Sequence, residues 1–180
     1  MATNCDVTAG VGFLECKDLI SGYDAVYLAN YGQYGMTMSA TASGYLISDL
    51  GTLSTVYKFE LDHSGNTFNQ TFTPSENGTT AISQIFNGVI LKKSAQLDYQ
   101  VIRMSWGRPI LFAETRSGDI HTIGLFKGCM VVNSDEIQGN SGDFNGYNLT
   151  FTADRERLPT HYLTEGAITA LKALVSSNNI

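Results

Sequence analysis

The sequence predicts a mainly β protein of the α+β class, a β-sandwich or rolled antiparallel sheet with one flanking helix and a C-terminal helix. Residues 147–154 alternate strictly between apolar and polar side chains, which is the period of a half-buried strand. Further runs rich in β-branched and aromatic residues are separated by turns containing Gly, Asn or Asp. Apolar residues recur at the three-to-four spacing of an amphipathic helix in 94–106 and 165–175.

The length and composition fit a single domain over residues 1–180. A chain of 180 residues buries about 70% of the surface that its unfolded form exposes, so it can form a hydrophobic core without disulfide bonds or bound metal ions. Charged residues make up 16% of the chain, against a usual figure of about 25%. This low value is typical of a neutral β-rich surface, and equally of a chain that uses much of its surface for subunit contacts.

The N-terminal third is predicted to contain an arm, two strands and a long loop. Residues 1–22 carry no clear period and are interpreted as an arm or a short edge strand. Residues 25–28 and 45–48 are predicted strands that pair with each other. Between them, 30–44 is predicted to be a long exposed loop. Its Tyr and Met side chains suit contact with a protein partner, and the alternative is a loop that is simply solvated.

Three strands are predicted next, at 56–61, 67–73 and 81–91. In the first, Tyr57, Phe59 and Leu61 are expected to point inward. The third is apolar on both sides, which predicts a strand that is central or covered on both faces.

The second half of the chain is predicted to run from helix to hairpins to helix. The helix at 94–106 would cover an open side of the sheet, and a hairpin follows from 110–115 and 120–123. A longer hairpin joins 126–132 to 147–154, with a connection that ends in the Asn145–Gly146 pair, which favours a tight reversal. The C-terminal helix, 165–175, carries an apolar stripe formed by Ala167, Ile168, Leu171, Leu174 and Val175.

The charge and the cysteines exclude several classes of function. The formal net charge is −6 and Lys and Arg do not cluster, which disfavours binding to a nucleic-acid backbone. No apolar run reaches the roughly 18 residues that span a bilayer and no signal-peptide layout is present, so the protein is expected to stay in the cytoplasm where it is made. Cys5, Cys16 and Cys129 lack a paired short spacing and are interpreted as reduced thiols, Cys129 as plain packing.

Residues that could carry chemistry are scattered along the chain. His63, His121 and His161 have no metal-ligand spacing, and His63 and His121 are interpreted as polar surface residues. No nucleophile elbow, Walker loop or dinucleotide fingerprint occurs, so we expect neither an enzyme nor a cofactor. Four carboxylates remain open candidates for a catalytic group: Glu60, Asp62, Glu114 and Asp119.

The connection at 133–145 is the one candidate for a metal site. Its oxygen-bearing side chains, which could bind calcium, are Asp135, Glu136, Asn140 and Asp143. It lacks the ligand spacing and the closing Glu of an EF-hand, so a solvated turn is the favoured interpretation and no metal is expected.

The order of elements resembles a family of structural proteins. The residues that carry the likeness are 68–73, the Asn77–Gly78 turn with 84–93, the Gly118 turn with Ile123–Gly124, and the run 142–159. Over 56–159 they resemble the tail-tube proteins of bacteriophages, especially those of phages and prophages of Bacteroidetes-type hosts. The Trp106–Ile110 junction and the C-terminal helix depart from that pattern.

The resemblance implies a virion structural protein of the phage tail, without catalysis. Subunits would join edge to edge into rings of about six, since pairing open sheet edges between neighbours removes an aggregation hazard. Stacked rings would enclose a channel through which DNA passes without sticking, and 30–44 or 133–146 would contact the adjacent ring. The partners would be copies of the chain and other tail or connector proteins, and no membrane. The interface residues that we predict are Tyr31, Tyr34, Met36, Met38, Asp143 and Asn145.

Two other kinds of function stay open. A head-to-tail connector, a tail terminator or a capsid-decorating protein could use the same fold, but would form one ring or trimers. A carbohydrate-binding β-sandwich module is the more distant alternative, with Tyr31, Tyr34 and Trp106 as an aromatic platform.

Overall fold

A computed structural model describes residues 10–11, 20–32, 35–41, 44–137 and 144–176 of the chain. Its strands and helices are β1 (Tyr23–Ala29), β2 (Thr37–Thr41), β3 (Gly44–Asp49), β4 (Tyr57–Glu60), β5 (Thr67–Pro74), β6 (Thr80–Leu91), α1 (Ala95–Trp106), β7 (Ile110–Thr115), β8 (Ile120–Ile123), β9 (Met130–Ile137), β10 (Asn145–Glu156), β11 (Tyr162–Leu163) and α2 (Glu165–Ala173).

The strands form two sheets. The large sheet has seven strands in the order β2-β3-β11-β8-β7-β1-β4, and the small sheet has four in the order β5-β6-β10-β9. Neighbouring strands are antiparallel except for β3 and β11. The predicted fold class, mainly β with two helices, is confirmed.

The large sheet is the middle layer of the molecule. One of its faces packs on the small sheet, where Val26, Leu111 and Ile123 meet Phe86 and Phe151 of the small sheet in one apolar cluster. Its other face, which includes Tyr27 and Phe112, packs on Ala167 and Leu171 of α2. The adjacent strands β8, β7 and β1 are therefore buried on both faces, which explains the nearly continuous apolar sequences of β1 and β7.

The helices follow the predicted periodicity. Ser94 caps α1 by accepting a hydrogen bond from the backbone N–H of Leu97, and Thr164 caps α2 in the same way through Ala167. Leu97 and Val101 bury the inner face of α1, whereas Ile102 is exposed. The C-terminal helix docks on the body of the fold through Ala167 and Leu171.

Several predictions about the strands were wrong. The prediction of a loop over 30–44 missed β2, which pairs with β3, so β3 does not pair with β1. The strand β6 is central, as predicted, but only one of its faces is covered, since Ile85 and Leu91 are exposed on the other. Tyr57 is also exposed rather than inward, because β4 is the last strand of the large sheet.

The Asn145–Gly146 pair does not make the reversal of the long hairpin. Both residues lie in β10, opposite Ile137 and Glu136 of β9. Gly146 is needed for a close approach, because a Cβ atom there would lie 2.1 Å from the backbone oxygen of Ile90.

Candidate functional site: surfaces available for assembly

The outward face of the small sheet is broad and almost uncharged. Alternation along its four strands places Thr, Asn and Ser side chains there, together with the exposed apolar residues Ile85, Met130 and Val132. Among the alternating outward strand positions whose side chains are described, Asp154 is the one charged residue. The exposed Arg155 follows it at a bulge, and Arg108 and Lys127 border the face beside Met130, Thr152 and Asp154. Most of the face is therefore uncharged, and its charged residues gather at the end near Asp154.

The polar side chains on this face are bonded to one another across the strands. Asn87 of β6 donates to Oγ1 of Thr67 on β5 at 3.0 Å and accepts from Oγ1 of Thr150 on β10 at 2.9 Å. Ser83 of β6 donates to Oδ1 of Asp154 on β10 at 2.6 Å. Since these groups already bond to each other across the strands, the face offers fewer free donors and acceptors to a ligand.

The small sheet ends in β5 on one side and β9 on the other, and no strand of the described chain pairs with either outer edge. Both edge strands are 8 residues long. Near the edge formed by β9, Met130 is 59% exposed and Val132 is 63% exposed. An unpaired edge of this length with apolar residues beside it is a template for pairing with another chain, and α1 packs close to β9.

A second open surface is a groove between β4 and α1, with a volume of about 1090 Å³. Tyr57 of β4 and Tyr99 of α1 line it, and the guanidinium of Arg103 lies 5.5 Å from the ring centroid of Tyr99. Trp106, the single tryptophan, is 81% exposed at the end of α1. The groove is as large as the upper end of small-molecule pockets, roughly 1,000 Å³.

The predicted interface residues have different surroundings. Tyr31 is exposed and its hydroxyl donates to the backbone oxygen of Phe126 at 3.1 Å, and Asn145 is exposed at the start of β10. Met36 is buried in the core next to the large sheet, so it is not a surface contact of the single chain. Met38 lies in β2. Tyr34 and Asp143 lie outside the described residues, as do Cys5 and Cys16.

His121 is buried, so its interpretation as a surface residue was wrong; His63 is exposed as predicted. The ring of His121 lies between Tyr23, Phe68 and Tyr162, with the Phe68 centroid 4.8 Å away. Its Nε2 is 3.1 Å from the hydroxyl of Tyr23. Burial lowers the pKa of His121 to about 4, and Asp119 acts weakly in the opposite direction. The imidazole is therefore neutral at pH 7.

Glu156 is a further buried ionisable group that sequence reasoning missed. Arg155 adopts a left-handed backbone conformation with φ of 60°, and the pairing register shifts between Asp154 and Glu156. This bulge turns Glu156 inward, where its carboxylate accepts from the N–H groups of Phe126 and Lys127 at 3.1 and 3.2 Å. Burial raises the pKa of Glu156, although these two bonds and Lys127 act against the rise. Glu156 thus fixes the turn before β9.

The four candidate carboxylates have separate structural partners. Glu114 is bonded to Tyr27 and Lys172, and Glu60 to Lys58. Asp62 accepts from Ser64 and Asp119 accepts from Ser117, each within its own turn. In the described ranges, no three His, Cys, Asp or Glu residues are grouped so that they could hold a metal ion.

No protein-family model, curated protein or solved structure matches the chain. No helix among the described residues is long and apolar enough to cross a membrane.

Proposed function

We propose that the protein is a virion structural protein that assembles into rings and forms the tube of a phage tail, as a conduit for the genome. The observation that carries this proposal is the small sheet, which combines two unpaired edges with an outward face of low charge. The alternating outward positions whose side chains are described carry no Lys or Arg, and the basic residues Arg108, Lys127 and Arg155 lie at one end of the face. Its work is mechanical and involves no turnover.

The open edges supply the ring contact. If β5 of one subunit pairs with β9 of the next, the small sheets join into one continuous barrel, and both exposed edges disappear. A ring of about six subunits would close about 24 strands, and barrels of about 16 strands already enclose a water-filled channel. The large sheet and α2 would then form the outer wall.

The outward face of the small sheet would line the bore. Phosphate groups bind tightly where Lys and Arg replace their counterions, and the alternating outward positions with described side chains offer neither. The basic residues Arg108, Lys127 and Arg155 are confined to one end of the face. Asp154 adds negative charge that acts within a Debye length of roughly 8 Å at physiological salt. DNA would therefore pass as cargo without sticking, and the partners would be copies of the chain and other tail proteins.

Electron microscopy of the purified full chain, with light scattering across a concentration series, tests the proposal. Rings that stack into tubes with an open bore are the expected result. One closed ring that never stacks would instead favour a connector or terminator. A monomer at every concentration would overturn the assembly proposal.

A carbohydrate-binding module is the second candidate, and the exposed Trp106 at the end of α1 favours it. Quenching or enhancement of Trp106 fluorescence by oligosaccharides, in a chain that stays monomeric, would support this alternative.

A further inference from the structure

The groove between β4 and α1 is basic, although the chain is acidic. Its described lining carries four basic residues, Lys58, Lys92, Arg103 and Arg108, and one acidic residue, Glu60. The whole chain has 11 Lys and Arg against 17 Asp and Glu. The remaining chain thus holds 7 basic and 16 acidic residues. Outside the groove, a second copy of the chain therefore offers negative charge that complements this basic groove.

One wall of the groove is a strand edge that already accepts an added strand at one end. The N–H of Val56 donates to the oxygen of Leu174 at 3.1 Å, and the N–H of Ser176 donates to the oxygen of Val56 at 2.9 Å, which makes a parallel bridge. Because backbone groups alternate in direction along a strand, those of Lys58 and Glu60 point to the same side as those of Val56. No strand of the described chain pairs with them there.

The segment before β1 has the complementary composition. Residues 1–22 contain Asp6, Glu15 and Asp18 against a single Lys17, and they include apolar residues such as Phe13 and Leu14. Where the structure describes this segment, its apolar side chains are uncovered, since Val11 is 100% exposed and Ile20 is 65% exposed. An acidic, partly apolar segment suits a basic groove lined by tyrosines.

We propose that this groove binds residues 1–22 of a second copy, which add to β4 as an extended strand beside α1. Backbone hydrogen bonds to Lys58 and Glu60 would continue the bridge made by Val56, while Arg103 and Arg108 would face the acidic side chains. The proposal rests on the homomeric assembly proposed above, but it does not require that the assembly be a tail tube.

Two other occupants fit less well. Residues 20–22 of the same chain do not line the groove. They precede the Tyr23 end of β1, whereas Leu28, which does line the groove, lies near the other end of that strand. Residues 177–180 follow Ser176 directly, but they read Ser-Asn-Asn-Ile and bring no side-chain carboxylate to the basic groups.

Disulfide trapping in the full chain tests the proposal, because the proposed segment already carries Cys5 and Cys16. Gln96→Cys places a thiol in the groove, and Ile102→Cys places one on an exposed part of the same helix that does not line the groove. Under mild oxidation we expect disulfide-linked dimers and longer ladders with Gln96→Cys. The ladders should be absent with Ile102→Cys and in a Gln96→Cys variant whose Cys5 and Cys16 are serines.

Mass spectrometry of the linked peptides identifies the partner thiol. A link from the groove to Cys5 or Cys16 of another molecule supports the proposal. A link within one molecule, or ladders no stronger than those of the Ile102→Cys control, would overturn it. Gln100→Cys, which also lines the groove, provides a second position if Gln96→Cys fails to fold.

Microscopy of the same samples separates this proposal from the assembly proposal. Tubes without the groove link would leave the tail-tube proposal standing and end this one. Linked copies without rings or tubes would support the groove contact and reject the tube.

Discussion

The ammonium of Lys172 lies 2.6 Å from Oε1 of Glu114, and the hydroxyl of Tyr27 donates to Oε2 of the same carboxylate at 2.7 Å. These bonds connect α2 with β7 and β1, two neighbouring strands of the large sheet that are buried on both faces. Burial alone would raise the pKa of Glu114, but the hydrogen bonds from Lys172 and Tyr27 outweigh it and hold the pKa below its usual value. Glu114 therefore stays ionised and joins the helix to the sheet.

Removing Glu114 should destabilise the fold more than removing Lys172. Glu114→Ala leaves the Tyr27 hydroxyl without its acceptor, and we expect a loss of about 1 to 3 kcal/mol in the free energy of unfolding. Lys172 is partly exposed, so Lys172→Ala should lose less than about 1 kcal/mol. Urea unfolding at pH 7 measures both. Equal losses would contradict the role given to Tyr27.

The stability of the fold should fall in mild acid because of His121. The pKa of His121 is lowered in the folded state to about 4. Its contribution to the free energy of unfolding is therefore complete above the unfolded-state pKa of about 6.5 and is lost as the pH falls toward 4. The shift corresponds to a loss of about 3 kcal/mol across that window. Burial also lowers the pKa of His161, which adds a fall of the same sign.

Substitution separates His121 from the other groups that titrate in acid. The free energy of unfolding, measured by urea titration at steps between pH 7 and pH 4, should depend less on pH in His121→Gln than in the wild type. His63→Gln is the matched control, because His63 is exposed in a turn. The same pH dependence in His121→Gln and the wild type would show that His121 is not the responsible group.

The elements of the fold follow from local patterns, whereas its pairings do not. The alternation of Tyr147, Leu149, Phe151 and Ala153 predicted a half-buried strand, and all four residues are buried. Periodicity cannot tell which strands become neighbours, and so the partner of β3 was predicted wrongly. The strands covered on both faces are β1, β7 and β8, which are too short for their apolar runs to reveal the second layer.

The candidate surfaces were harder to predict, because they depend on contacts between distant residues. The burial of His121 needs Tyr23, which is 98 positions away in the sequence. The burial of Glu156 needs the bulge at Arg155, which breaks the alternation that predicted its neighbours. The basic groove gathers Lys58 and Arg103, which no charge cluster in the sequence connects. The open edges of the small sheet became visible only with the strand order.

Gly146 should tolerate no side chain. In Gly146→Ala the new Cβ would lie 2.1 Å from the oxygen of Ile90, and relief requires the backbone of β6 or β10 to move. We expect a loss of about 3 kcal/mol or more in the free energy of unfolding. Gly166→Ala is the control, since it meets nothing within 4 Å in α2 and should stabilise the helix by up to about 1 kcal/mol. Thermal unfolding of both variants checks the sign and size of each effect.

Assembly should depend on the edge of the small sheet at β9. Val132 is 63% exposed in the single chain and lies on the outward face of that edge strand, where the ring contact is proposed. Val132→Lys would place a lysine on the edge strand, a residue with which natural sheets protect open edges from pairing, while the isolated subunit keeps the ammonium in water. Light scattering and electron microscopy should therefore show loss of rings and tubes, with the unfolding temperature of the subunit almost unchanged. Ile102→Lys, on an exposed part of α1, is the control that should still assemble. Tubes of normal length from Val132→Lys would rule out β9 as the ring contact, and loss of folding in the variant would call for the same test at Met130.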